Sequence, residues 1–334
     1  MVESLDFELP AEPPNVVITP DLLLYPALSQ SEPPMPTARI HSGPIPYWLR
    51  RRVLDFVQLM RLERPIGIWL LLWPTLWALW IGASGHPQPR LLAIFIVGTV
   101  LMRSAGCVIN DYLDRDIDPH VRRTRTRPLA ARRIAPSEAL ALCGVLLTGA
   151  FLLVWQLNAL CVRLSLVGAA LTLSYPLFKR FFPVPQLYLG LAFGWAVPMA
   201  FAAELGVVPR VGWVVMLAAV VWAGVYDTFY AMADRSDDLR LGLKSSALTF
   251  GDMDLLMIGT MQIMVLLGLG FAGRLLELGS YYYGGMVVGA GCFLWQQWSA
   301  RRRDPAGCLR AFHNNNYFGI AILVGLILDY ALHH

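Results

Sequence analysis

The chain has 334 residues, of which 56% are hydrophobic and 15% charged, with a formal net charge of +4 and a mean hydropathy of +0.52. A soluble domain carries about 25% charged residues, so this composition cannot cover a water-facing surface and calls for a bilayer as solvent. The positive balance falls in short arginine tracts between apolar segments, which is the pattern of loops on one side of a membrane and excludes a nucleic-acid face.

Proline recurs from Pro10 to Pro46, and residues 1–46 hold no lysine and a single arginine, Arg39. So much proline cannot sustain a helix, and the stretch reads as a disordered tail preceding a membrane domain over 47–334. Its acidic start (Glu3, Asp6, Glu8, Glu12) is unlike a mitochondrial transit peptide, and no charged n-region followed by an apolar run marks a secretory signal.

From Arg50 onward apolar segments of membrane-spanning length recur. Nine spans are predicted: Ile66–Ala83, Leu91–Ile109, Ser137–Trp155, Leu157–Tyr175, Leu187–Leu205, Val211–Thr228, Leu255–Ala272, Tyr281–Trp298 and Tyr317–Leu332. The fold class is therefore all-α, a polytopic membrane protein embedded in the lipid bilayer. Basic residues gather in alternate loops, namely Arg50–Arg52 with Arg61 and Arg64, Arg115–Arg133, Lys179–Arg180, Asp227–Lys244, and Arg301–Arg303 with Arg310. Positive charge is retained in the cytosol, which puts the N-terminus and the long loops there and the C-terminus outside. The cysteines Cys107, Cys143, Cys161, Cys292 and Cys308 form no disulfide framework and read as small packing residues.

Two aspartate clusters follow the second and sixth spans. In the first, Asn110, Asp114 and Asp118 recur at i, i+4 and i+8, with Asp111 at the edge of the stripe. In the second, Asp227, Tyr230, Asp234 and Asp238 share one helical face. Stacked carboxylates repel, the more so beside a membrane, and need a compensating cation. Oxygen-only ligands favour Mg²⁺, which takes one or two carboxylates and completes its shell with water and phosphate. Arg123, Arg127 and Lys179 add the positive charge that phosphate oxygens prefer. Arg103 lies inside the second span, two turns before Asn110, and an intramembrane arginine is expected to face a polar cavity. Clusters of this kind could also line a divalent-cation path, but a transporter would place them at the bilayer midplane and without flanking arginines.

These residues resemble the UbiA superfamily of intramembrane prenyltransferases, most closely its 4-hydroxybenzoate polyprenyltransferase branch. Asn110, Asp111, Asp114 and Asp118 match the first family motif, and Asp227, Tyr230, Asp234 and Asp238 the second. Leu70–Trp80, Gly194–Ala203, Tyr226–Ala247 and His313–Tyr317 resemble the hydroxybenzoate branch, whereas Ser236 stands where close relatives often carry Asp and Arg64 where lysine is common. The resemblance implies nine helices around a central cavity open sideways to lipid, in a bacterial inner membrane. It implies catalysis by Asp111, Asp114, Asp118, Asp227, Asp234, Asp238 and Tyr230, with Mg²⁺ held by Asn110 and by those aspartates other than Asp111. Arg123, Arg127, Lys179, Tyr175 and Asn110 would meet the polyprenyl diphosphate, and Arg103 the carboxylate of 4-hydroxybenzoate. His313 and Asn314–Asn316 would line the cavity from the ninth span. A naphthoate, homogentisate, haem or chlorophyllide acceptor is the nearest alternative, and a membrane-associated quinone-biosynthesis complex is a conceivable partner.

Overall fold

The computed structural model describes residues 46–120, 124–178, 182, 184–242 and 244–333, and among them every regular element is helical. The Pro-rich segment 1–45 and the predicted diphosphate ligands Arg123 and Lys179 lie outside the described residues. The first helices are α1 (Tyr47–Leu59), α2 (Ile66–Gly82), α3 (Pro89–Leu113), α4 (Pro136–Val154), α5 (Ala159–Phe178) and α6 (Pro185–Gly194). They are followed by α7 (Ala196–Leu205), α8 (Arg210–Leu241), α9 (Ser246–Phe250), α10 (Asp254–Leu275), α11 (Ser280–Ala300) and α12 (Pro305–His333). Among the described residues, 7 helical stretches are long and apolar enough to cross a bilayer. The first and eighth predicted spans are also helical. However, α2 has only 17 residues, and α11 carries Tyr281, Gln296 and Gln297 among its apolar residues. The chain is a multi-pass membrane protein.

Helix starts and stops follow local chemistry. Pro89, Pro136 and Pro185 open α3, α4 and α6 at positions where a missing N–H costs nothing. Gly206 and Gly242, both in the left-handed region, close α7 and α8. The fifth predicted span is broken into α6 and α7 at Trp195, whose indole donates to the Leu164 carbonyl of α5 at 2.8 Å.

Two elements differ from expectation. The sixth span does not end at Thr228. The 32 residues of α8 run about 48 Å, well beyond the roughly 30 Å hydrocarbon layer, so the predicted loop after Asp227 is more than three further turns of helix. Asp254, fully buried at the start of α10, holds this extension. It accepts from Arg235 of α8 and from Arg303 Nε at 3.0 and 3.2 Å. The second difference is that α12 begins at Pro305, which puts His313–Asn316 inside a helix.

Of that run only His313 reaches the central cavity. The asparagines bind neighbouring helices. Asn314 Oδ1 accepts from Gln296 of α11 at 3.0 Å, Asn315 Oδ1 from the Trp222 indole of α8 at 2.8 Å, and Asn316 Oδ1 from the Trp73 indole of α2 at 2.9 Å. Gln296 in turn accepts from Gln262 of α10, and Gln262 from Gln297. Lipid offers no partner to a stranded amide or indole, so these bonds act as specific attachments between helices that apolar packing alone would leave slippery. Trp77 stacked on Trp222 at 5.3 Å, with Phe318 against both, fills the space beside them.

At the other side of the fold α1 is pinned to the loop after α3. Asp55 accepts from Arg133, and Arg52 donates to Glu138 and, at 2.7 Å, to the Arg133 carbonyl. This fixes the segment that carries Arg127.

Replacing Asn315 with alanine strands the Trp222 N–H in a buried site, at a cost of about 1–3 kcal/mol. Thermal unfolding in detergent should show a clear drop for Asn315→Ala, and an unchanged midpoint would contradict the role assigned to this bond.

Candidate active site

One face of α3 forms a rail along a cavity of about 1580 Å³. Ile94, Phe95, Gly98 and Met102 line its apolar part, and Arg103, Asn110, Asp111 and Asp114 its polar part. From Ile94 to Asp114 the rise is about 30 Å, close to the hydrocarbon thickness. Asp227, Tyr230, Asp234 and Asp238 of α8 face the same cavity, as do Tyr175 of α5 and Asp118. The two aspartate motifs, from helices distant in sequence, thus share one wall-to-wall site.

The first motif is less regular than its spacing implies. The helix stops at Leu113, Asp114 is its C-cap, and Asp118 opens a short 3-10 turn. The Asp118 N–H still bonds the Asp114 carbonyl at 2.8 Å, so one extra turn outside the helix returns Asp118 to the cavity. The second motif lies on unbroken helix, as expected.

Arginines compensate the first cluster directly. Asp111 is buried and its Oδ1 accepts from Arg61 Nη2 at 2.6 Å and from Arg127 Nη1 at 3.1 Å, while Arg127 also bonds Asp118 Oδ2 at 2.8 Å. Burial pushes the Asp118 carboxyl above its ordinary value, and the Arg127 charge opposes that shift. Arg61 entered the sequence reading only as a topology signal. It occupies the left-handed region (φ 56°), a position at a helix end where glycine is the ordinary occupant. Strained backbone of that kind persists where the side chain has a task.

Arg103 faces the cavity as its sequence position requires. Its guanidinium lies against Gly67 of α2, where an added Cβ would stand 2.6 Å from Nε, and 5.8 Å from the Phe193 ring centroid. Among the described residues it forms no ion pair with a carboxylate. Tyr226, Gln186, Lys244 and Ser245 also line the cavity and were not singled out by the motifs. The Gln186 Oε1 and Ser245 Oγ atoms are buried without a hydrogen-bond partner, so polar capacity remains for a ligand.

Among the described residues no three His, Cys, Asp or Glu side chains close into a preformed metal cage. The donor set is nevertheless all oxygen, from Asn110 and the aspartates of both motifs. That chemistry fits a hard divalent cation that binds through one or two carboxylates and shares phosphate oxygens with its substrate.

The family follows from the whole length of this framework. Residues 71–321 match the UbiA prenyltransferase family. A relative from Ectopseudomonas mendocina, 4-hydroxybenzoate octaprenyltransferase, is 52% identical over 85% of this chain and 96% of its own length. The chain belongs to the UbiA prenyltransferase family. A Pseudomonas aeruginosa protein of the same description shares 50% identity over 89% of this UbiA prenyltransferase and 97% of its own length. Among solved structures, an apo UbiA homologue from Aeropyrum pernix K1 superposes with a TM-score of 0.69 at 26% identity, covering 79% of this chain and 97% of that one. A UbiA homologue from Archaeoglobus fulgidus bound to GPP and Mg²⁺ has the same fold, with a TM-score of 0.61 at 18% identity, over 82% and 99% of the two chains.

Arg61 gives a test that separates function from folding. Glycine suits its backbone better but strips a charge partner from buried Asp111, so Arg61→Gly should lower the unfolding midpoint only modestly, since Arg127 remains, while prenyl-transfer turnover falls by about tenfold or more. Parallel loss of stability and turnover would make Arg61 a structural residue only.

Proposed function

We propose that this UbiA prenyltransferase transfers a polyprenyl group from a polyprenyl diphosphate to the ring carbon ortho to the hydroxyl of 4-hydroxybenzoate, an early step of ubiquinone biosynthesis. The observation that carries the reading is the convergence of the two aspartate motifs on one cavity that continues into apolar walls. The names of the relatives at about half identity support the acceptor and the polyprenyl donor.

In this mechanism Asn110, Asp114, Asp118, Asp227, Asp234 and Asp238 would hold Mg²⁺, which would supply positive charge to the departing diphosphate. The GPP- and Mg²⁺-bound homologue supports that choice of metal. Arg127, with Arg123 and Lys179, binds phosphate oxygens through charge-assisted bonds. Arg127 is positioned to exchange Asp111 and Asp118 for substrate, with Arg61 remaining to neutralise Asp111. Tyr175 and Tyr230 flank the headgroup. The allylic C–O bond breaks with its electron pair going to the diphosphate, and the apolar walls keep water from the cation that results. The ring carbon of the acceptor then forms the new C–C bond and loses its proton. Arg103, a cavity-facing cation without an ion pair among the described residues, orients the acceptor through its carboxylate. The motif end faces the cytosol of a bacterial inner membrane, as the arginine-rich loops on that side require.

Activity should vanish in EDTA and return with Mg²⁺. Asp114→Ala and Asp234→Ala should each lower turnover by on the order of 10³-fold, and a tenth of wild-type turnover in either would count against the metal assignment. Arg103→Ala should raise the KM for 4-hydroxybenzoate with little change for the donor. Loss of a charge-assisted bond in a dry pocket is worth about 2–5 kcal/mol. An equal rise for both substrates would move Arg103 to the diphosphate.

A further inference from the structure

The apolar half of the cavity has a bare patch of backbone at its middle. Gly98 of α3 lies one turn from Ile94 and one turn from Met102, on the same cavity-facing stripe. A Cβ built on Gly98 would meet no atom within 4 Å. This separates it from the glycines that serve close packing: at Gly67 and Gly190 a Cβ would stand 2.6 Å from Arg103 and from the Val220 carbonyl. Glycine is the costlier choice inside a helix, and at Gly98 neither helix approach nor backbone conformation accounts for it, since its φ is not positive. What it provides is room in the cavity.

The level at which that room lies is set by the antiparallel helices around it. Gly98 is 12 positions before Asn110, about 18 Å from the polar end. Beyond it the cavity continues between Ile94 of α3, Val154 of α4 and Met199 of α7. Phe151 of α4 and Leu166 of α5 line the cavity at about the level of Gly98, since Gly149 faces Leu101 and Gly106 faces Thr172, and they remain 41% and 60% exposed, so the cavity opens toward lipid there. A short prenyl chain anchored at the aspartates ends before Gly98, and a long one reaches it.

We infer that Gly98 determines the length of prenyl chain the cavity admits, by keeping open the passage from the diphosphate end to the lipid-facing opening beside it. The inference rests on the prenyl-transfer reading above. A large side chain at position 98 divides the cavity, leaving the motif end intact and closing the route for a long tail. A Cβ at this position meets no neighbour, and any residue other than proline improves on glycine in a helix interior.

The test uses full-length protein in detergent with 4-hydroxybenzoate, Mg²⁺ and either geranyl or octaprenyl diphosphate, across Gly98→Ala, Gly98→Leu and Gly98→Phe. Gly144→Phe serves as control, since Gly144 also has nothing within 4 Å but is outside the cavity lining. Octaprenyl transfer should fall stepwise with side-chain size, by about tenfold or more in Gly98→Phe, while geranyl transfer falls by no more than about threefold. In the same variant, octaprenyl diphosphate should become a poor competitor of geranyl transfer. Equal loss of both donors along the series, or undiminished octaprenyl transfer by Gly98→Phe, would overturn the inference and leave the prenyl-transfer reading standing. A wild-type protein that transfers neither donor would overturn that reading itself, and the inference with it.

Discussion

Carboxylates set side by side in the wall of an apolar cavity repel one another in a medium that screens them poorly, and every other feature of the site answers to that constraint. Within the first motif the answer is covalently attached: Arg61 and Arg127 both reach Asp111, and Arg127 bridges to Asp118. Two guanidinium groups are brought there by separate elements, one at the left-handed turn after α1 and one in the loop that α1 pins through Asp55. A divalent cation between the two motifs would supply positive charge to be shared by Asp114, the α8 aspartates and a bound diphosphate.

The scaffold serves this by holding two long rails at a fixed spacing. The polar extension of α8 would be a lone helix end projecting past the membrane were it not tied at Arg235 to Asp254 and through that to Arg303. Within the bilayer, the asparagines of α12 hold α2, α8 and α11 by side-chain bonds and so fix the walls of the cavity. Polar groups at the two depths therefore have different work: at the rim they bind charge, and in the hydrocarbon they set helix positions.

Much of this was legible in the sequence. Apolar length located the spans, because a bilayer accepts little else, and the phase of Asp227, Tyr230, Asp234 and Asp238 put them on one face because α8 is unbroken there. The first motif misled in detail, since i+4 spacing is equally compatible with a helix that ends at Asp114 and one further turn. The Asn314–Asn316 run misled more. Three consecutive amides look like a helix start or a ligand site, and nothing local reveals that indoles more than ninety positions away are waiting for two of them. Arg61 was hidden for a related reason. Its charge was visible, but its partner and its backbone conformation arise only when α1 folds against α3.

The central claim is that Asp114 of α3 and Asp234 of α8 act on one bound diphosphate. A double-mutant cycle measures this directly, with Asp114→Asn, Asp234→Asn and the double variant titrated with unreactive geranyl thiolodiphosphate in Mg²⁺. If the motifs share the ligand, the two losses of binding free energy will be non-additive by about 1 kcal/mol or more. Additivity within about 0.5 kcal/mol would mean that the motifs bind separately, and the account would be wrong.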